Sequence, residues 1–315
     1  MSYRLVADVG GTNSRLAICH DGAILLDTRK TYTNANWDSL YIIIEDYLKS
    51  EQMLAGKISD AQITEMVVGV AGPVQGASAM LTNHKWHIEV DVLKTKFECE
   101  NVCLLNDLSA LGYATGALKD AGLKPVHGAV PSHQNIEQSL VVGVGTGCNV
   151  SPVLKKGDGL FCSIAEAGHV GMPQSIRDEL LRLGLDRSDF PTVEHLFSGR
   201  GFTAFCRKMA KDDTLEGKGV ILVYGTPEAA NISAIVDEYA VLLGHLLREM
   251  YLSYMPSHGI YLAGSVARAV IEKAPQKCLD VVLEPSKFYQ SHNVPVWVIE
   301  EDSAALFGCA NYSNF

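Results

Sequence analysis

The residues best suited to chemistry gather at glycine turns. Asp8-Val-Gly-Gly-Thr-Asn13 sets two adjacent glycines between a carboxylate and a hydroxyl. Glycines lack a Cβ, so backbone N–H groups there can approach a phosphate closely. Gly10, Gly11, Thr12 and Asn13 therefore read as a phosphate turn, with Asp8 placed to hold Mg2+ directly or through water. A plain hairpin turn would ask for the same glycines. Gly143-Val-Gly-Thr-Gly147 is a second turn of this kind, which points to Gly145, Thr146 and Gly147. Asn106-Asp107 closes an apolar run, at the strand end where α/β sheets collect their active sites. An aspartate there suits the acceptor of a hydroxyl proton in phosphoryl transfer, and the Asn suits substrate fixing. The pair equally suits the N-cap of a following helix. Glu166-Ala-Gly-His169 and Glu194 offer carboxylates that can grip adjacent sugar hydroxyls. A metal pair or a solvated loop are the other readings of Glu166 and His169. Zinc is discounted because no third ligand stands at metal spacing. Tyr113, Trp86, His84 and His87 read as packing and surface residues.

These groups need strands to present them. Residues 3–9 are a short apolar run, Arg15-Leu-Ala-Ile-Cys is another, and Asp21-Gly22 turns into Ala23-Ile-Leu-Leu, so three strands with tight turns are expected. The first glycines thus lead into a strand, unlike those of a Walker loop, which open a helix. Trp37 to Met53 has helical spacing. Met66-Val-Val-Gly-Val-Ala and Val102-Cys-Leu-Leu are buried strands, and a helical stretch runs from Asp107 to Leu118. Lys119 to Gln138, rich in Gly, Pro and His, reads as a loop. Ser139-Leu-Val-Val into Gly143 then repeats the opening pattern, as a duplicated architecture gripping a nucleotide would, or as two Gly-rich turns would by chance. Helices are expected over Arg200–Lys211 and Pro227–Tyr254, and from Ser265. A strand into a glycine turn occupies Gly259–Gly264, a last strand Val294–Ile299, and a last helix Ser303–Tyr312.

Hydrophobic residues make up 47% of the 315 residues and charged ones 20%, which excludes a disordered chain and allows two domains. The net charge of -10, with no dense Lys/Arg run, argues against a nucleic-acid partner. No signal peptide or membrane span is read, so no membrane partner and a cytoplasmic location are expected. The eight scattered cysteines fit reduced, buried thiols. The apolar stripe of Pro227–Tyr254 suits a core helix, with a homodimer face as the alternative.

Taken in order, Asp8-Val-Gly-Gly-Thr-Asn, Gly72-Pro73, Thr82-Asn-His-Lys-Trp86, Asn106-Asp107, Gly145-Thr-Gly147, Glu166-Ala-Gly-His169 and Glu194…Ser198-Gly199 resemble the bacterial-type glucokinases. Leu262-Ala-Gly-Ser-Val-Ala267 resembles their adenosine-side turn. The resemblance runs from the first strand to the last helix. It implies an α/β, two-domain actin-like ATPase fold of hexokinase type with an interdomain cleft. Residues 1–108 would form the smaller domain, with the last helix (302–315) returning to it, and 109–301 the larger one. It implies ATP-dependent phosphorylation of the 6-hydroxyl of glucose, with ATP as co-substrate, Mg2+ as cofactor and Asp107 as general base. Asn106, Glu166, His169 and Glu194 would hold the other hydroxyls, with Gly72 and Pro73 beside them. Gly10 to Thr12 and Gly145 to Gly147 would face the phosphates, and Gly264 the adenosine. Domain closure would exclude water, a competing acceptor.

This chain departs from the resembling family after Gly147, where Cys148-Asn149 replaces the usual Leu-Gly and Pro152 implies a strand edge or bulge. It also carries Glu-Ala-Gly-His for Glu-Gly-Gly-His and lacks the Cys-rich zinc motif of the repressor-related sugar kinases. The alternatives are a kinase for mannose, fructose or an amino sugar, a non-catalytic sugar sensor of the same fold, and an actin-type ATPase. The sensor would need a DNA-binding segment before the first strand, which begins by residue 3. The actin-type reading leaves the Glu/His set unexplained.

Overall fold

The apolar runs form strands whose pairing follows from the turns between them. β1 (Tyr3–Val9) and β2 (Asn13–His20) are antiparallel about the Gly10-Gly11-Thr12 turn. Asp21 and Gly22 both have positive φ, 50° and 76°, the signature of the tight turn expected before β3 (Ala23–Ile24). β4 (Lys30–Thr33) adds to β2, and α1 (Leu40–Leu54) leads to β5 (Ile63–Val70). A small sheet of β6 (Val74–Gln75), β7 (Ser78–Met80) and β8 (His87–Glu89) precedes α2 (Val90–Phe97), β9 (Asn101–Asn106) and α3 (Asp107–Ala114). This computed structural model describes residues 3–54, 63–82, 84–118, 122–128, 137–157, 159–285 and 294–313.

The remaining strands are β10 (Leu123–His127), β11 (Glu137–Val144), β12 (Cys148–Lys156), β13 (Gly159–Cys162), β14 (Ile260–Ala263) and β15 (Val296–Ile299). The helices after α3 are α4 (Gln174–Arg182), α5 (Val193–Leu196), α6 (Gly199–Ala210), α7 (Gly217–Val223) and α8 (Ala230–Tyr254). They are followed by α9 (Ser265–Lys273), α10 (Pro275–Val282) and α11 (Ala304–Asn311).

The chain divides into two compact units. One holds Met1–Gly122, Gly159–Cys162 and Glu301–Phe315, and the other Leu123–Asp158 and Ser163–Glu300. In the first, the strand order is β3-β2-β1-β5-β9, with β1, β5 and β9 parallel. In the second it is β10-β15-β14-β11-β12, with β11, β14 and β15 parallel. Counted outward from each hairpin, both units therefore present an antiparallel partner, the central strand and two parallel strands. That shared order is the duplication which the two glycine turns imply.

Three local expectations change. The first helix begins at Leu40 rather than Trp37, because Asn34–Asn36 forms a 3-10 turn that leaves Trp37 extended. The Trp37 ring instead meets Tyr32 edge-on, with centroids 5.4 Å apart. Within the stretch read as a loop, Leu123–His127 is a strand antiparallel to β15. Its Pro125 and a register shift before His127 disguise it, and its place at the sheet edge tolerates both. The parts of that stretch at 119–121 and 129–136 lie outside the described residues. Pro152 causes no bulge: β11 and β12 keep an unbroken register through Leu140↔Pro152.

Pro227–Tyr254 is, among the described residues, the one helical stretch long and apolar enough to cross a membrane by length and composition. Its apolar side, including Ile235, Tyr239, Leu243, Leu246 and Leu247, is buried in the core of the second unit. The stripe is core. In the first unit, Val6, Val67, Leu105, Ala110 and Tyr113 pack with Ala305, Leu306 and Cys309 of α11. Here α11 approaches α3 so closely that a Cβ on Gly308 would lie 1.7 Å from the Ala110 carbonyl oxygen.

Because that neighbour is backbone, Gly308→Ala must push the two helices apart. The substitution is expected to lower stability by about 1–3 kcal/mol in urea unfolding. An unchanged midpoint would show that the helices are not locked together.

Candidate functional site

In the first unit the site begins with strand register. β1 and β2 place Asp8 directly opposite Arg15, and the Arg15 guanidinium donates to Asp8 Oδ2 at 3.0 Å. Asp8 is only 8% exposed. Burial raises its pKa above the ordinary carboxylate value, and Arg15 opposes the rise.

The turn after Asp8 is held from several sides. Gly10 N–H donates to the Asn13 carbonyl at 2.9 Å. The fully buried Asn34 donates to the Gly10 carbonyl at 2.8 Å and accepts from Ser14 Oγ at 2.7 Å. Its backbone N–H donates to the Thr12 carbonyl at 2.9 Å. His84 Nε2 meets the Gly11 carbonyl at 2.8 Å, while its ring lies against Trp86. With their carbonyls tied down, Gly10 to Thr12 hold a fixed backbone turn in which Thr12 is exposed.

Asn106 and Asp107 end β9 and start α3. The N-cap reading holds for Asn106. Asn106 is the N-cap, its Oδ1 accepting from Leu108 N–H at 3.0 Å, while its Nδ2 donates to the Gly72 carbonyl at 3.1 Å. The same amide thus ties the β9–α3 junction to the Gly72-Pro73 loop. Asp107 Oδ1 also accepts from Leu108 N–H, at 2.9 Å. The Asp107 pKa is pushed up to about 6, chiefly by burial, with the negative charge of Asp8 adding to it and the Leu108 N–H opposing.

In the second unit the turn between β11 and β12 is closed by Gly145 N–H donating to the Gly147 carbonyl at 2.9 Å. A Cβ on Gly145 would sit 3.3 Å from Gly264 Cα, so these two predicted positions adjoin. Glu194, at the start of α5, turns its carboxylate to this turn: Oε2 accepts from Cys148 N–H at 3.1 Å and Oε1 pairs with Arg200 at 2.5 Å. Glu166 and His169 are exposed ends of one short loop whose 3-10 turn spans Ala167–His169. Gly168 within it would place a Cβ 1.9 Å from the Cys148 carbonyl oxygen, which fixes glycine at that position. Glu166, His169, Glu194 and the second glycine turn therefore come together within this unit. Burial pushes the Cys148 thiol up to about 12, so it is an inert core group.

For a metal, the described residues hold no group of three His, Cys, Asp or Glu side chains. A single buried carboxylate beside a braced glycine turn nevertheless fits Mg2+, which is held by one or two carboxylates together with substrate phosphates. Of the bracing residues, Asn34 and His84 carried no sequence signal as turn supports. Arg15 did carry one, because a hairpin about residues 10–13 must oppose 8 with 15. Asn83, inside the motif that contains His84, lies outside the described residues.

A family profile described as Glucokinase matches residues 5–314. A glucokinase of Tolumonas auensis is 28% identical over 319 aligned positions, covering 98% of this chain and 96% of the relative. Among solved structures, glucokinase from an Antarctic psychrotroph has a TM-score of 0.83 at 22% identity, covering 99% of this chain and 98% of that one. A ROK family glucokinase from Streptomyces griseus, in complex with glucose and AMPPNP, has a TM-score of 0.62 at 17% identity, covering 98% of both chains. The last two likenesses bear on fold, and it is the actin-like ATPase fold of the sugar kinases.

The raised Asp107 pKa has a consequence for stability. Between pH ~4 and 6 the folded chain holds a proton on Asp107 that the unfolded chain has released, so this group lowers stability as pH rises through that window. Asp107→Asn removes the effect. Its melting temperature is expected to exceed that of the wild type at pH 7.5 and to match it near pH 4. A variant that melts lower at pH 7.5 would contradict the burial account.

Proposed function

Since the chain belongs to the glucokinase family, hexose kinases that phosphorylate glucose with ATP, we propose that Asp107 is the general base of that transfer. The observation that carries this reading is the Asp107 carboxyl itself, seated at the end of β9 with its pKa pushed up to about 6. Such a group is ionised at neutral pH yet more basic than an ordinary carboxylate, as proton removal in a transition state requires. Asp107 accepts the proton of the glucose 6-hydroxyl as that oxygen bonds to the γ-phosphorus of ATP, and the bond from phosphorus to the bridging oxygen breaks to release ADP. Asn106, Glu166, His169 and Glu194 hold the remaining hydroxyls, with Gly72 and Pro73 forming the neighbouring loop. Gly10, Gly11, Thr12 and Asn13 bind phosphate oxygens, as do Gly145, Thr146 and Gly147, with Gly264 beside the adenosine. Asp8, one of whose oxygens is engaged by Arg15, is the residue that would hold Mg2+ directly or through water, and the ion would neutralise phosphate charge.

The Glu194 carboxylate is already joined to Arg200 and to the Cys148 N–H, which fixes its orientation before any sugar arrives.

A coupled ADP-release assay with ATP and Mg2+ over a panel of free hexoses tests the reading. Turnover is expected to be strongest with glucose, and stronger turnover with mannose, fructose or an amino sugar would move the substrate. Asp107→Ala should lower kcat by at least ~10^2, while a near-normal kcat would remove Asp107 as the base. The wild-type kcat/KM should fall on acidification with an apparent pKa about 6, because only ionised Asp107 accepts a proton. A flat profile from pH 5 to 8 would overturn this assignment.

A further inference from the structure

Asn149 stands just past the second glycine turn, opposite Gly143 in the β11–β12 ladder. Its side chain uses every hydrogen-bonding position it owns. Nδ2 donates to the Ala165 carbonyl at 2.7 Å and to Glu166 Oε2 at 3.1 Å. Oδ1 accepts from Ala167 N–H at 2.9 Å and from Val150 N–H at 2.8 Å. A primary amide offers two donors and two acceptor lone pairs, so the set is complete. Three of the four bonds grip consecutive residues, Ala165, Glu166 and Ala167, at the loop that carries Glu166 and His169. Among the described residues, the Asn149 amide is the one protein donor to the Glu166 carboxylate. Glu166 is otherwise an exposed side chain.

We propose that Asn149 is a positioning residue for sugar binding: it clasps the loop ahead of His169 and turns the Glu166 carboxylate to a single orientation before glucose arrives. This rests on the reading of Glu166 as a ligand for sugar hydroxyls. The physical content is preorganisation. Bidentate capture of two hydroxyls by a carboxylate needs one rotamer, and a side chain fixed beforehand loses no rotamer freedom on binding. Asn149 takes one acceptor site of Oε2, which leaves acceptor sites on both carboxylate oxygens for the ligand. A glycine at 149, as the resembling family usually has there, could supply neither the two donors nor the clasp on Ala165.

Asn149→Asp is the selective test, because it keeps the shape and both acceptor contacts of Oδ1. It replaces the donor facing Glu166 and the Ala165 carbonyl with an anionic oxygen. Glucose binding is measured by titration calorimetry on the full chain, with no turnover required, for wild type, Asn149→Asp, Glu166→Ala and the double variant. Asn149→Asp is expected to weaken glucose about tenfold, which is ~1.4 kcal/mol. Added to Glu166→Ala, it should weaken binding much less than that, since its effect passes through a carboxylate already removed. Asn149→Ala, its fold checked by melting, is read in the same cycle and should show the same coupling.

Unchanged glucose affinity in Asn149→Asp, or losses that multiply independently of Glu166, would overturn the proposal while leaving Glu166 a sugar ligand. Unchanged affinity in Glu166→Ala would overturn the sugar-ligand reading itself, and the proposal with it.

Discussion

A carboxyl held out of water prefers to keep its proton, and the first unit is arranged around that preference. Asp107 is half-buried where β9 passes into α3, and the same desolvation that makes it basic also opposes its ionisation in the folded chain. Its position is therefore secured by groups that do not depend on its charge. Asn106 caps the helix and reaches across to Gly72, so one neutral amide fixes both the helix start and the adjoining loop. Behind α3, the contact at Gly308 brings α11 to the Ala110 backbone with no side chain between. The carboxyl is thus presented by rigid elements while its own contribution to folding at neutral pH is unfavourable.

Both glycine turns follow one solution in two different ways. Glycine supplies the close approach a phosphate needs, but it leaves the backbone free, so other residues must remove that freedom. In the first unit the turn's carbonyls are tied by Asn34 and His84, two residues far apart in sequence. In the second the N–H just after the turn is tied by Glu194, which Arg200 steadies in turn. The strand order is common to both units, whereas the bracing is particular to each.

This explains what could be read from the sequence. The two glycine turns, Asn106-Asp107 as a strand-to-helix junction, and the strands around them were legible, because each depends on a few consecutive residues and on short apolar runs that are buried almost throughout. The bracing residues were not legible, since a hydrogen bond from Asn34 to Gly10 or from His84 to Gly11 depends on long-range packing. Leu123–His127 was missed because an edge strand tolerates the proline and shifted register that usually exclude a strand. Cys148-Asn149, which looked like a simple departure, divides in the structure into a buried packing residue and a polar clasp.

The place of α11 also bears on how the chain is made. Part of one face of the first sheet, with Val6, Ala17 and Val67, is covered by Leu306, Cys309 and Ala310. Those covering residues leave the ribosome only after the second unit has been made. The intervening second unit, ending at Glu300, must be synthesised first, which at ordinary elongation rates takes roughly ten to forty seconds. During that interval the nascent first unit displays an uncovered apolar patch. The first unit, begun before the second, is thus the later of the two to finish folding, and the second can complete its core while the first still waits.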